Sequence, residues 1–153
     1  MKRILSLLLV AVCLVALSSS AFTNKGEITP TAIGIGDTKE TALTIIPGQD
    51  FKLFIQNDQD EDWFTWTNNT GGTKFFSAHI LGNDATKLRL GMEIDYHNGR
   101  ESEVYAKTRT NSNYLSVPNI VIPNGTTVYV VVDSPNNVMA QYETVFRVYD
   151  YDL

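Results

Sequence analysis

The sequence predicts an all-β fold, a jelly-roll-like antiparallel sandwich of about eight strands. Three observations lead there. Short runs rich in Val, Ile, Phe, Tyr and Trp recur along the chain, and several alternate apolar with polar residues, the period of a half-buried strand. Clusters of Gly, Pro, Asn and Asp punctuate these runs about every 8–12 residues. No window places apolar residues at helical spacing between recognisable caps.

The chain opens on a segment that does not belong to this fold. Lys2 and Arg3 precede an apolar run from Ile4 to Leu17, and Ser18-Ser19-Ser20-Ala21 supplies small residues for cleavage. This is the layout of a secretory signal peptide, residues 1–21. The apolar run, about 14 residues, is short against the roughly 20 of a membrane-spanning helix. Cys13 follows Val12 inside that run and does not read as a lipid attachment site. Removing residues 1–21 from the 153 leaves 132, enough for one domain with its own core. It also removes the single cysteine, so the mature domain is stabilised by packing or by a metal and not by disulfides. Losing Lys2 and Arg3 takes the 12 basic residues to 10 against 17 acidic ones, a net −7. Such a charge argues against nucleic acid and anionic membranes as partners.

Residues 22–36 read as a flexible lead-in, and residues 37–153 as the sandwich. Ala42 to Ile46 is a β-branched run stopped by Pro47-Gly48. Phe51 to Ile55 forms the next strand. An acidic turn, Asp58-Gln59-Asp60-Glu61-Asp62, runs straight into the aromatic strand Trp63 to Thr67. Asn68-Asn69-Thr70-Gly71-Gly72 turns into Lys74 to Leu81. In Leu88 to Tyr96, the residues Leu88, Leu90, Met92, Ile94 and Tyr96 share one face while Arg89, Glu93 and Asp95 share the other. His97-Asn98-Gly99-Arg100 is a turn, and Glu101 to Ser112 an exposed polar hairpin. Tyr114 to Val117, Thr127 to Val132 and Tyr142 to Tyr149 complete the set. The triplets at Asn68 and Asn124 are glycosylation acceptors only in a eukaryotic secretory pathway.

Several of these segments together resemble the bacterial pre-peptidase C-terminal domain family, whose collagen-binding members are secreted β-sandwiches. The hallmark is Asp62-Trp63-Phe64. Around it, in family order, stand Asp37-Thr38-Lys39-Glu40-Thr41-Ala42, then Pro47-Gly48 with Phe51 to Ile55, then Gly125 to Val130, then Gln141 to Val145. The resemblance implies a module usually carried at the end of a secreted protease. Here no protease is attached, so the expectation is a stand-alone secreted domain.

The same resemblance implies a Ca2+ site between lead and acidic turn, with Asp37 and Glu40 from the lead and Asp58, Asp60 and Asp62 from the turn. Calcium takes six to eight oxygens, many of them carboxylates on flexible loops. Asp58, Asp60 and Asp62 project together only if the turn stays extended, because side chains alternate along an extended chain. The other reading of this turn is a solvated acidic loop that protects a sheet edge.

Catalysis finds no support. Without cysteine, a nucleophile needs a histidine base, and only His79 and His97 exist. His79 lies in the apolar strand Phe75 to Leu81 and reads as hydrogen-bonded and structural; His97, at a turn, reads as solvated. Their separation fits no common zinc motif. Gly34-Ile35-Gly36 is too short for a nucleotide loop. Tyrosines offer a different chemistry, since the ring stacks while the hydroxyl bonds polar groups. Tyr105 and Tyr114 flank the polar hairpin and are the candidates for ligand contact. The function expected is a secreted, non-catalytic binding module for extracellular polysaccharide, matrix or protein. The alternative is a structural or regulatory partner of a secreted protein: a pro-domain, an inhibitor or a surface-assembly subunit.

Overall fold

The computed structural model describes residues 36–107 and 112–151. The signal-peptide reading, all of the lead-in except Gly36, part of the polar hairpin and the last two residues lie outside the described residues. Among these, nine strands form two packed sheets. They are β1 (Leu43–Thr44), β2 (Asp50–Ile55), β3 (Glu61–Thr67), β4 (Lys74–Leu81), β5 (Arg89–Asp95), β6 (Glu101–Tyr105), β7 (Tyr114–Ile122), β8 (Thr127–Asp133) and β9 (Ala140–Asp150). One sheet has the order β1-β3-β8-β5-β6, the other β2-β9-β4-β7. Two single-turn 3-10 helices, Lys39–Thr41 and Ala85–Lys87, fill connections. No helix among the described residues is long and apolar enough to cross a membrane.

The alternation of the sequence sets the core. In β5, Leu90, Met92 and Ile94 face inward, and β8 meets them with Val128, Val130 and Val132. In β3 the inward residues are Asp62, Phe64 and Trp66. Phe64 and Phe146 lie 5.0 Å apart between ring centroids, and Trp66 stacks on Phe76 at 5.5 Å. Each such buried ring removes enough apolar surface to favour folding by about 1.5–3 kcal/mol.

Three expectations change at the strand ends. The run Ala42 to Ile46 gives only a two-residue strand, and it pairs parallel with β3, the one departure from antiparallel order among the described pairs. The turn at Pro47-Gly48 follows too closely for more, with Gly48 at φ +83°. The polar hairpin contributes an edge strand of its own, β6. Strand β7 runs through Pro118 to Ile122, longer than its apolar start suggests. Pro118 and Asn119 bulge opposite Ser77, Asn119 takes φ 55°, and its amide donates to Ser77 Oγ at 2.9 Å. On an edge strand a missing proline N–H costs the sheet nothing.

Asn68 ties two turns together. Its side-chain amide donates to the carbonyls of Gly72 and Ile122, both at 2.8 Å, and its side-chain oxygen accepts from the Thr70 hydroxyl at 2.7 Å. The residue is fully buried.

Candidate functional site

The acidic turn delivers Asp62 into the sandwich, because the pleat that turns Phe64 inward turns Asp62 inward as well. Only 4% of the residue is exposed. The buried Tyr142 hydroxyl donates to Asp62 Oδ2 at 2.5 Å. Burial pushes the Asp62 carboxyl up to about 7, against the pull of that hydrogen bond, and the charges of Asp60 and Asp37 raise it further. Burial also holds the Tyr142 hydroxyl well above its ordinary range.

The other predicted ligands have separate partners. Asp60 Oδ2 accepts from the Gln56 amide at 2.7 Å, which closes the turn. Asp58 is exposed, and its amide donates to Asn137 Oδ1 at 3.3 Å. Glu40 is exposed in the first 3-10 turn, where its own backbone amide and the Thr38 hydroxyl hold its carboxyl below the usual range. Asp37 follows Gly36, whose carbonyl accepts from the Trp63 amide at 2.7 Å and brings the lead beside β3. Thus Asp37, Asp60 and Asp62 share one neighbourhood. Among the described residues no three acidic or histidine side chains are arranged to hold a metal ion.

His79 is hydrogen-bonded. Its Nδ1 lies 2.5 Å from the Tyr114 hydroxyl and 3.0 Å from Ser116 Oγ, and burial lowers its pKa, with the charge of Arg147 adding to the effect. His97 is half-exposed, and both ring nitrogens have partners. Nε2 is 2.8 Å from Thr127 Oγ1, and Nδ1 is 3.2 Å from Asp95.

Tyr105 and Tyr114 project from different sheets. Leu115 and Val117 point into the core, so Tyr114 and Ser116 face outward from the four-stranded sheet. Tyr105 lies on the outer face of the five-stranded sheet. Both border a cleft of about 500 Å3 where edge strands β6 and β7 part.

The outer face of the five-stranded sheet carries a pattern visible only once the strands are paired. Register aligns Trp63, Val131, Gly91 and Tyr105 in one row across four strands. The next row holds Thr65, Tyr129, Glu93 and Glu103. Gly91 leaves room for the Tyr105 ring: a Cβ there would sit 2.7 Å from Tyr105 Cε1. The Arg89 guanidinium lies over that ring, 5.4 Å from its centroid, and its Nε donates to Asp133 Oδ1 at 3.0 Å. Trp63 Nε1 donates to Glu61 Oε2 at 2.7 Å. Lys39 Nζ bonds Glu93 Oε2 at 2.7 Å, which raises its pKa, and stands 4.6 Å from the Tyr129 ring centroid. Sequence reasoning singled out Tyr105 and passed over Trp63 and Tyr129. The signal was available in part, since strict alternation in β3 and β8 already puts those two opposite to the core.

No protein-family model matches the chain, and no curated protein matches it. Among solved structures it is similar to the pre-peptidase C-terminal domain of collagenase from Bacillus anthracis. The superposition has a TM-score of 0.54 at 17% identity and covers 69% of this chain and 94% of that one. The chain has the pre-peptidase C-terminal domain fold. Within this pre-peptidase C-terminal fold, Asp62-Trp63-Phe64 lies in the strand that carries both the buried carboxylate and one end of the aromatic row. Gly125 to Val130 leads into β8, the centre of that face, and Gln141 to Val145 lies in β9.

Proposed function

We propose that this protein is a non-catalytic binding module acting outside the cell, with the outer face of the five-stranded sheet as its recognition surface. The observation that carries the reading is the row from Trp63 to Tyr105. The Tyr105 ring, 45% exposed, lies over Gly91 and against the buried Val131 and so holds a fixed apolar surface toward a ligand, with its hydroxyl donating to Glu103 at the polar edge. Extracellular polysaccharide, matrix protein and soluble secreted protein are the ligand classes this surface suits. The Ser116–His79 contact does not favour hydrolysis, because Nδ1 is shared with the Tyr114 hydroxyl and so is not aimed at one nucleophile.

Pull-down of the purified protein on insoluble polysaccharides and immobilised matrix proteins tests the reading. Tyr105→Ala should weaken capture by about tenfold or more while the protein still unfolds in one cooperative transition. Tyr149→Ala, at a residue 52% exposed on the other sheet, should leave capture intact. The reverse pattern moves the recognition surface to the four-stranded sheet.

We extend the proposal to calcium as a stabilising ion at the acidic turn. Its support is the nearness of the Asp37 and Asp60 charges to the buried Asp62 carboxyl, whose ionisation they oppose and a hard divalent cation would favour. Thermal unfolding with calcium and with chelator decides it. A rise in midpoint that Asp60→Asn abolishes supports the ion, and coincident curves remove it from the proposal.

A further inference from the structure

The recognition face is charged as well as aromatic, and carboxylates outnumber cations on it. Register places Glu61, Glu93, Asp95, Glu101, Glu103 and Asp133 on the outer side of the five-stranded sheet. Against these six carboxylates stand Arg89, bound by Asp133, and Lys39, bound by Glu93. A pocket of about 270 Å3 opens beside Lys39, walled by Glu93, Asp95, Glu101 and Glu103. Lys39 shows which chemistry this wall accepts. Its alkylammonium arrives from a separate segment, bonds a carboxylate and lies against a tyrosine ring. Arg89 repeats the arrangement at Tyr105. Both combine an ion pair with a cation–π contact, each of which gains strength as water is displaced.

We infer that the face docks an extended protein segment bearing lysine or arginine. The segment lays its apolar atoms against the exposed Tyr105 ring and sets its cations against Glu101 and Glu103. This rests on the reading of that face as the recognition surface. Charge complementarity selects the occupant. An acidic face on an acidic domain repels anionic glycans and gains nothing from neutral ones beyond stacking, whereas a cationic chain is attracted before contact and paired after it. Glu101 and Glu103 are both exposed on an edge strand, with Glu103 Oε1 accepting from the Tyr105 hydroxyl.

The test is calorimetric titration of the purified protein with a Lys-Pro-Thr repeat peptide of about twelve residues, whose proline content keeps it extended. The same peptide with glutamine for lysine and a chitosan oligosaccharide are the comparison arms. Binding of the lysine peptide that weakens by about tenfold or more in Glu101→Gln/Glu103→Gln, and again between about 50 mM and about 500 mM salt, supports the inference. Equal binding of the glutamine peptide, unchanged binding by the double variant, or no binding of the lysine peptide overturns it. Binding of chitosan in place of the peptide also overturns it and assigns the carboxylates to an amino sugar. Failure of the underlying face looks different. There, Tyr105→Ala keeps full capture of the matrix or glycan, whereas failure of the charge argument alone leaves Tyr105→Ala defective and the glutamine variant normal.

Discussion

Asp62 is a carboxyl group that folding makes harder to ionise. Its pKa of about 7 in the folded protein stands above the ordinary 3.8. Below about pH 4 both folded and unfolded chains hold the proton; between about 4 and 7 only the folded chain does. Stability therefore declines as pH rises through that window and levels off above it. Asparagine cannot ionise, and its amide oxygen still accepts from Tyr142. In chelator, Asp62→Asn should unfold at nearly the native midpoint at pH 4 and more stably at pH 8, by an amount on the order of 3 kcal/mol. Parallel midpoint curves for the two proteins would show that burial does not hold the proton. The sequence displayed this residue as one of a row of acids, and nothing in its spacing separated it from Asp60. What separates them is the inward face of β3, knowable once Phe64 and Trp66 are recognised as core.

At the level of strands, much was readable. Strand β4 begins and ends where its apolar run does, and β5 buries the face its alternation marks. The misjudged elements are those whose pairing depends on distant chain. The two-residue β1 exists through β3, and β6 through β5. Likewise the row on the outer face joins residues from four strands, and no local pattern announces it. Gly91 is its most sensitive point. An alanine there would bring its Cβ within 2.9 Å of Val131 Cγ1 as well as against the Tyr105 ring. The ring has to swing away, and overpacking of this kind costs about 1–3 kcal/mol. Gly91→Ala should lower the unfolding midpoint by a few degrees and weaken ligand capture together. Loss of stability with full capture would show that the position of the ring is irrelevant to binding.

For the molecule as a whole, the two sheet orders make the end of the chain indispensable. Strand β9 separates β2 from β4, and β8 separates β3 from β5. A chain ending at Asn136 would leave β2 without a partner and β4 with β7 alone. Such a truncation should show no cooperative thermal transition by circular dichroism; a sharp transition would mean that the five-stranded sheet stands by itself. Turn residues in the sequence marked where strands stop, which is local chemistry. They could not mark which strands meet, because partners are chosen by burying faces against one another.

The same arrangement governs the order of events during synthesis. A chain made from its N-terminus presents β1 paired with β3, β5 with β6, β4 with β7, and β2 with nothing, until β8 and β9 join these pieces. Contacts of such long sequence separation form late and slowly. The nascent thread therefore reaches its last two dozen residues with neither sheet closed, so that the final strands act as a clasp and the whole core locks at once, late in synthesis.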